Sequence, residues 1–309
     1  MIHVLCLNPA IDKLLTIDGF SAGEVYPGQT PKLAVGGKGV NVARVLSQLG
    51  EEASLYAFLG EDGGEPVRRE MEARCACTFL SVPGACRTTT NIIDRRNGRE
   101  TVISETGPTV AQKDVDTLLA QLTGKVSPGD LVCCSGSVIA GAPEDIYAQV
   151  SRICAARGAR CVLDCNAKTL PASLEGAEYA LGKPNESELA SLLGREKTCD
   201  PAEIAAMART LMPPYGQLLV SLGAQGGVLV SPRRALLARV PEAPVVSTVG
   251  SGDASLAGAL CALARGYDME RMLRLAMACG VVNAMTDAVG SVDVRTVREM
   301  EARIDVGAV

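Results

Sequence analysis

Short apolar runs of strand length alternate with stretches of helical period from one end of the chain to the other. HVLCLN (3–8) is followed by GVNVARVLSQLG (39–50), in which Val42, Val45, Leu46 and Leu49 fall on one helical face. ASLYAFLG (53–60) reads as a strand and GGEPVRREMEAR (63–74) as a helix. DLVCCSG (130–136), ARCVLDC (159–165) and EYALGKPN (178–185) are apolar runs that end in polar residues or glycine, with helical patterns at 143–158 and 201–212. QLLVSLGAQGGVLVS (217–231) reads as two strands about a glycine-rich turn, and Ala254–Leu263 as a buried helix. Such alternation predicts a mainly parallel sheet covered on both faces. Residues 13–34 and 86–108 break the rhythm: they are rich in β-branched, turn and polar residues, and TTTNIIDRRNGRETVIS reads as a hairpin turning at Asn97-Gly98. These two segments are expected to form a small β-rich lid on a single domain spanning 1–309. No internal repeat or linker divides the chain.

Composition narrows the partners. With 309 residues, 47% of them hydrophobic and 21% charged, the chain can bury a large core. A net charge of −5 argues against a nucleic-acid or anionic-membrane surface. No apolar run is long enough to span a bilayer, and MIHVLCLNPA lacks the basic start and extended apolar stretch of a signal peptide, so a cytoplasmic protein is expected. The twelve cysteines are scattered through apolar segments with no Cys-x-x-Cys, which suits a reduced chain in which they act as small buried hydrophobes. The single histidine, His3, lies in a strand without partners for catalysis and reads as structural.

Ligands of open α/β sheets bind at the carboxyl ends of the strands, and polar residues gather at those ends here. Asn8 and Asp12 follow the first strand, on a strand-end loop; Gly36-Gly-Lys-Gly39 and Asn41 open a helix; Ser135-Gly-Ser137 follows the run at 130–134. Lys183, Asn185 and Glu188 follow another run, and Gly223 follows LLVS. Gly250-Ser-Gly-Asp253 then stands at the mouth of the small-residue helix. Taken alone, Asp253 reads as a helix cap; six such clusters along one chain point to a site. There is no G-x-x-x-x-G-K-[ST] and no G-x-G-x-x-G, so neither a P-loop nor a dinucleotide fingerprint accounts for them.

The assembled pattern resembles the ribokinase-like sugar kinases, in particular their phosphofructokinase B branch. The resemblance covers essentially the whole chain and rests on LNPAIDK, GGKGVNVARVLSQLG, SGS (135–137), KPNESEL (183–189), VSLGAQGG (220–227) and TVGSGDASLAG (248–258). The members it is most similar to are 1-phosphofructokinases and tagatose-6-phosphate kinases. It implies a three-layer sandwich and ATP-dependent, Mg²⁺-assisted phosphorylation of a ketohexose phosphate. Asp253 would be the base, and the amides of Gly250, Ser251 and Gly252 an anion hole. Asp12 would accept sugar hydroxyls, Gly36 and Gly37 would pack against the sugar, and Lys38, Asn41 and Ser137 would contact it. Lys183, Asn185 and Glu188 would organise the ATP phosphates, with Glu188 holding Mg²⁺ through water. Ser221, Gly223 and Gly226 would form the nucleotide-side loop, and Asn283 would sit beside the adenine pocket. The resemblance also implies a homodimer paired through the lids.

The chain departs from the family on the sugar side. Thr89 and Pro27 stand where phosphosugar members carry lid arginines. Arg87, two residues from Thr89, would keep the same face of a strand. SGSVIAG, LDCNAK and Val102 also differ from the usual residues there. Two other readings stand beside the first: a same-fold kinase of a neutral sugar, polyol or nucleoside, and a non-catalytic sugar-binding module.

Overall fold

The computed structural model describes residues 1–309. Strand β1 (Ile2–Leu5) is followed by β2 (Ala10–Ile17), β3 (Lys32–Gly36), helix α1 (Lys38–Gln48), β4 (Ala53–Asp62), α2 (Glu65–Glu72) and β5 (Ala76–Ala85). Then come β6 (Arg87–Asp94), β7 (Glu100–Ser104), α3 (Gln112–Lys125), β8 (Leu131–Ser135), α4 (Ile146–Arg157), β9 (Arg160–Asp164) and α5 (Leu170–Leu174). The chain continues through β10 (Leu181–Gly182), α6 (Glu186–Leu192), α7 (Pro201–Arg209), β11 (Leu218–Ser221), β12 (Gly227–Val230) and β13 (Ala235–Arg239). It ends with α8 (Ser251–Ala264), α9 (Met269–Ala284), α10 (Val294–Glu301) and β14 (Asp305–Ala308).

Ten strands form one sheet in the order β14-β13-β12-β11-β10-β9-β8-β1-β4-β5. It is parallel from β5 across to β11 and antiparallel from β11 to β14. Apolar runs with little alternation, such as LVCC in β8 and ASLYAFLG in β4, are buried throughout because helices cover both faces. One buried cluster packs α1, α2, α8, α9 and α10 on one face, and a second packs α3, α4, α6 and α7 on the other. The fold is thus the expected three-layer sandwich with a mainly parallel sheet. His3 lies in this interior, between the Tyr56 hydroxyl (3.1 Å) and Asp130 (3.3 Å), and burial lowers its pKa. No helix is long and apolar enough to cross a membrane.

The second sheet has four strands in the order β3-β2-β6-β7, with the β6-β7 hairpin turning near Asn97-Gly98 as its sequence suggests. Its extent differs from the sequence expectation. β2 begins at Ala10 and β3 runs on to Gly36, so Asp12 belongs to a sheet strand, paired with Ala34 and Thr89, rather than to a strand-end loop. Burial alternates from Ala10 to Lys13, with Ala10 and Asp12 buried and Ile11 and Lys13 half-buried, so Asp12 continues the inward face of the strand. EYALGKPN contributes only Leu181 and Gly182 to the large sheet, because Pro184 has no N–H for the ladder and Asn185 already caps α6.

Candidate active site

The sheet order puts the ends of β1, β8 and β9 side by side, and the last residues of β8 and β9 and the loops after β1 and β8 carry orphaned polar atoms. Asn8 Oδ1, Ser135 Oγ, Ser137 Oγ and Asp164 Oδ2 are buried without a hydrogen-bond partner. Buried polar atoms are nearly always paired, and such a cluster marks a place built for something besides the chain itself. Lys38, at the start of α1, donates to Asp164 Oδ1 at 3.1 Å, and Lys183 Nζ lies 3.9 Å from Asp164 Oδ2. Burial would pull the Lys38 ammonium down, but the carboxylates of Asp164, Asp253 and Glu188 outweigh it and hold the group charged.

Helix α8 begins beside this cluster. Its N-cap, Gly250, has φ of 80°, a left-handed conformation that only glycine adopts without strain. The N–H groups of Gly250, Gly252 and Asp253 donate to no protein acceptor, while that of Ser251 reaches Thr248 O at 3.2 Å. The free donors at this helix start are therefore shifted from the expected Gly250–Gly252 set, because the turn closes on the Ser251 amide. Lys183 Nζ lies only 3.3 Å from where a Cβ on Gly252 would stand, so its ammonium overhangs the same turn. An unpaired helix N-terminus with a lysine above it suits phosphate oxygens.

Asp253 is 7% exposed, in the first turn of α8. Its Oδ2 accepts from Asn41 Nδ2 at 2.8 Å; Oδ1 has no protein donor and is not among the fully buried orphans, so it is open to solvent. Burial, then the neighbouring Asp164 carboxylate, raise its pKa to about 6, against the opposing pull of Lys38, Asn41 and Lys183. Such a carboxylate is ionised at neutral pH yet able to take a proton.

Asp12 approaches from the smaller sheet. A Cβ on Gly36 would fall on the Asp12 carboxylate, so only glycine lets the acid lie against the turn that enters α1. Burial raises the Asp12 pKa against the pull of Arg87, Arg44 and Thr89. Asp12 lines a cleft of about 260 Å³ with Asn91, Arg44, Val249 and Val289. Arg87 shares Asp12's face two residues before Thr89; its Nε donates to Asn8 O (3.0 Å) and its Nη1 to Ser104 Oγ (3.0 Å), leaving Nη2 without a protein acceptor.

On the other flank, Asn185 and Glu188 cap α6 reciprocally, Oδ1 accepting from Glu188 N (2.7 Å) and Oε2 from Asn185 N (2.9 Å). Ser221, ahead of the Gly223–Gly226 turn, bridges to Asn185. No three His, Cys, Asp or Glu side chains converge on a point. Glu188 keeps one oxygen free of its cap, which fits a cation carried by phosphates and held through water. Asn283 departs from expectation. It is fully buried, donates to Val249 O (2.9 Å) and Ser251 Oγ (3.1 Å) and accepts from Ser291 N (3.0 Å), so in this structure it braces the loop before α8 rather than facing an open pocket.

Two participants were not singled out in the sequence. Asp164 was visible as an acid closing the apolar run CVLD, the same signal that flagged the other strand ends. Arg44 follows Asn41 by one helical turn, a charge among the apolar residues Val40, Val42, Ala43, Val45 and Leu46.

A large, mainly parallel sheet between helix layers, with a four-stranded sheet beside it, is the ribokinase-like kinase fold. A crystal structure of phosphofructokinase-2 from Escherichia coli shares it, with a TM-score of 0.89 over 97% of this chain and 98% of that one at 24% identity. Residues 4–292 match the pfkB family of carbohydrate kinases, and the chain belongs to that family. It is 32% identical to the tagatose-6-phosphate kinase of Staphylococcus epidermidis over 99% of both chains. It is 35% identical to the 1-phosphofructokinase of Rhodobacter capsulatus over 90% of this chain and 88% of that one. Family members transfer a phosphoryl group from ATP to a sugar hydroxyl, which sets aside the reading as a non-catalytic module.

Proposed function

We propose that this kinase phosphorylates a hydroxyl of a ketohexose phosphate, of the tagatose 6-phosphate or fructose 1-phosphate type, with Asp253 as the base. The observation that carries the reading is the Asp253 carboxylate itself: one oxygen held by Asn41, the other open, at a helix start whose amides are unpaired. Bound ATP with Mg²⁺ supplies the γ-phosphoryl group. Asp12 orients the acceptor through its hydroxyls, against Gly36 and Gly37 and near Lys38 and Ser137. As the acceptor oxygen bonds to phosphorus and the bond to the leaving ADP oxygen breaks, Asp253 Oδ1 takes the hydroxyl proton. The amides of Gly250, Gly252 and Asp253, with Lys183, steady the charge on the moving phosphoryl oxygens. Lys183, Asn185, Glu188 and the Ser221–Gly226 loop would take the nucleotide side, and Glu188 would hold the cation through water. Pairing of two chains through the smaller sheet belongs to the same reading, supported by Leu33 and Ile103, which stand exposed on it.

Arg87 is the group placed to hold the acceptor's existing phosphate. A charge-assisted hydrogen bond is worth about 1.5–3 kcal/mol, or about 10- to 100-fold in binding. Arg87→Ala should therefore raise KM for tagatose 6-phosphate or fructose 1-phosphate by about 10- to 100-fold, with KM for ATP unchanged, in steady-state assays across a sugar panel. The second reading, a neutral sugar, polyol or nucleoside acceptor, is favoured by Thr89 and Pro27 at the usual arginine positions. Turnover of such acceptors, untouched by Arg87→Ala, would select it.

A further inference from the structure

Arg44 sits at the centre of a buried network that the mechanism above does not use. It lies on α1, three residues after Asn41, and is 6% exposed. A guanidinium offers five N–H donors and no acceptor. Nε donates to Glu70 Oε1 on α2 (2.7 Å), Nη1 to Asn41 Oδ1 (2.8 Å) and to Val289 O (3.1 Å), and Nη2 to Val35 O on β3 (2.6 Å).

The consequence falls on Asn41. An asparagine amide can be turned either way at almost no cost in shape. Here Oδ1 must face the donor Arg44, so Nδ2 must face Asp253, and it reaches Oδ2 at 2.8 Å. Turned the other way, the amide would set a carbonyl oxygen against a carboxylate and an NH₂ against a guanidinium. The orientation that occupies Asp253 Oδ2 and leaves Oδ1 open is thus fixed from both sides, by the Asp253 carboxylate when it is ionised and by Arg44 whatever the state of that acid.

The same side chain fastens the wall of the site. Asn41, Arg44 and Gln48 recur at helical spacing, and Gln48 Oε1 accepts from Val292 N at 2.9 Å, so a polar stripe on α1 grips the segment 289–292. That segment backs the first turn of α8: Ser291 N donates to Asn283 Oδ1, and a Cβ on Gly250 would stand 2.8 Å from Gly290 N.

We propose that Arg44 is a positioning residue for phosphoryl transfer, orienting Asn41 so that one Asp253 oxygen is held and the other is left to receive the proton, while tying β3 and the 289–292 segment to the same point. The inference rests on Asp253 being the base. Arg44 touches no reacting atom, and its own charge is already balanced by Glu70.

The charged groups around Asp253 are Asp164 at the end of β9, Lys38 on α1 and Lys183 after β10, and none of them is altered by changing Arg44. Donation from Asn41 lowers the Asp253 pKa. Freeing the amide therefore raises that pKa and moves the acidic limb of kcat/KM to higher pH. The test uses the full chain with tagatose 6-phosphate and fructose 1-phosphate as acceptors, comparing Arg44→Met and Arg44→Lys, each alone and combined with Asn41→Ala. Misorientation of a reacting group costs about 10- to 100-fold. Each Arg44 variant should lose about that much kcat and shift the limb upward, and the shift should persist on an Asp12→Asn background, because Arg44 also lowers the pKa of Asp12 in the cleft they share. On the Asn41→Ala background neither should add a further shift, because the two residues act as one unit. Arg44→Lys keeps a cation beside Glu70 and guards against a Met variant that fails to fold. An unmoved limb in the folded variants, or effects that simply add to those of Asn41→Ala, would overturn the proposal. Wild-type turnover by Asp253→Asn would instead overturn the base, a different failure with a different signature.

Discussion

Asp253→Asn should fold and bind both substrates yet turn over about 10²- to 10⁴-fold more slowly, the usual cost of removing a positioned base. The amide keeps the size of the carboxylate and can still accept from Asn41, so the neighbours need not move. What is lost is the one oxygen able to take a proton. Stability gives an internal control. Burial raises the Asp253 pKa above that of the unfolded chain, so the ionised acid costs the folded state stability at every pH above the unfolded value. Removing that charge should leave the melting temperature at pH 7.5 equal or higher, even as kcat collapses. A variant that is both inactive and much less stable would mean that residue 253 holds the structure rather than the reaction. Steady-state kinetics and a thermal melt on the same preparation decide between these outcomes.

The second large effect is expected at Asp12 and Gly36 together. A buried acid that receives acceptor hydroxyls contributes through charge-assisted hydrogen bonds, and leaving those hydroxyls unpaired in a closed site is costly. Asp12→Ala should lower kcat/KM for the acceptor by about 100-fold or more, with KM for ATP nearly unchanged. Gly36→Ala should reproduce the defect without touching a charge, because its methyl would occupy the space of the Asp12 carboxylate and drive it off the turn. A cycle of the two variants should show that the second adds little to the first. Full activity in Gly36→Ala would show that the carboxylate can stand elsewhere and still serve, contrary to the role assigned to it.

Much of the architecture was legible in the chain, for definite reasons. Unbroken apolar runs such as LVCC betray strands covered on both faces, and VNVARVLSQL carries its helical period openly. The smaller sheet was legible in kind but not in extent. Residues 10–12 and 35–36 extend its strands because backbone pairing of β2 with both β6 and β3 continues past the point where the side chains change character, and pairing partners apart in sequence leave no local mark. Around the site, strand-end acids, lysines and glycines stand out because their types are wrong for a core. Asn283 was ambiguous for the opposite reason: a polar residue near the end of α9 can serve a ligand or the chain, and only the fold shows its three hydrogen bonds to the chain. The free amides at α8 likewise depend on which N–H closes the turn onto Thr248, a detail of backbone geometry no residue type announces. Arg44 was hidden by context. A single arginine in a helix is ordinarily a solvated one, and its burial depends on Val35, Glu70 and Val289 arriving from three other parts of the fold.

The central claim is that the Asp253 carboxylate, pushed up to about 6 by burial and by Asp164, must be ionised to take the acceptor's proton. The most direct test is the pH dependence of kcat/KM for the acceptor, measured between pH 4.5 and 8.5 with saturating ATP and Mg²⁺, for the wild type and for the residual activity of Asp253→Asn. The account predicts an acidic limb near pH 6 in the wild type that is absent from the variant. The same limb persisting in Asp253→Asn would assign the proton to another group and contradict the account.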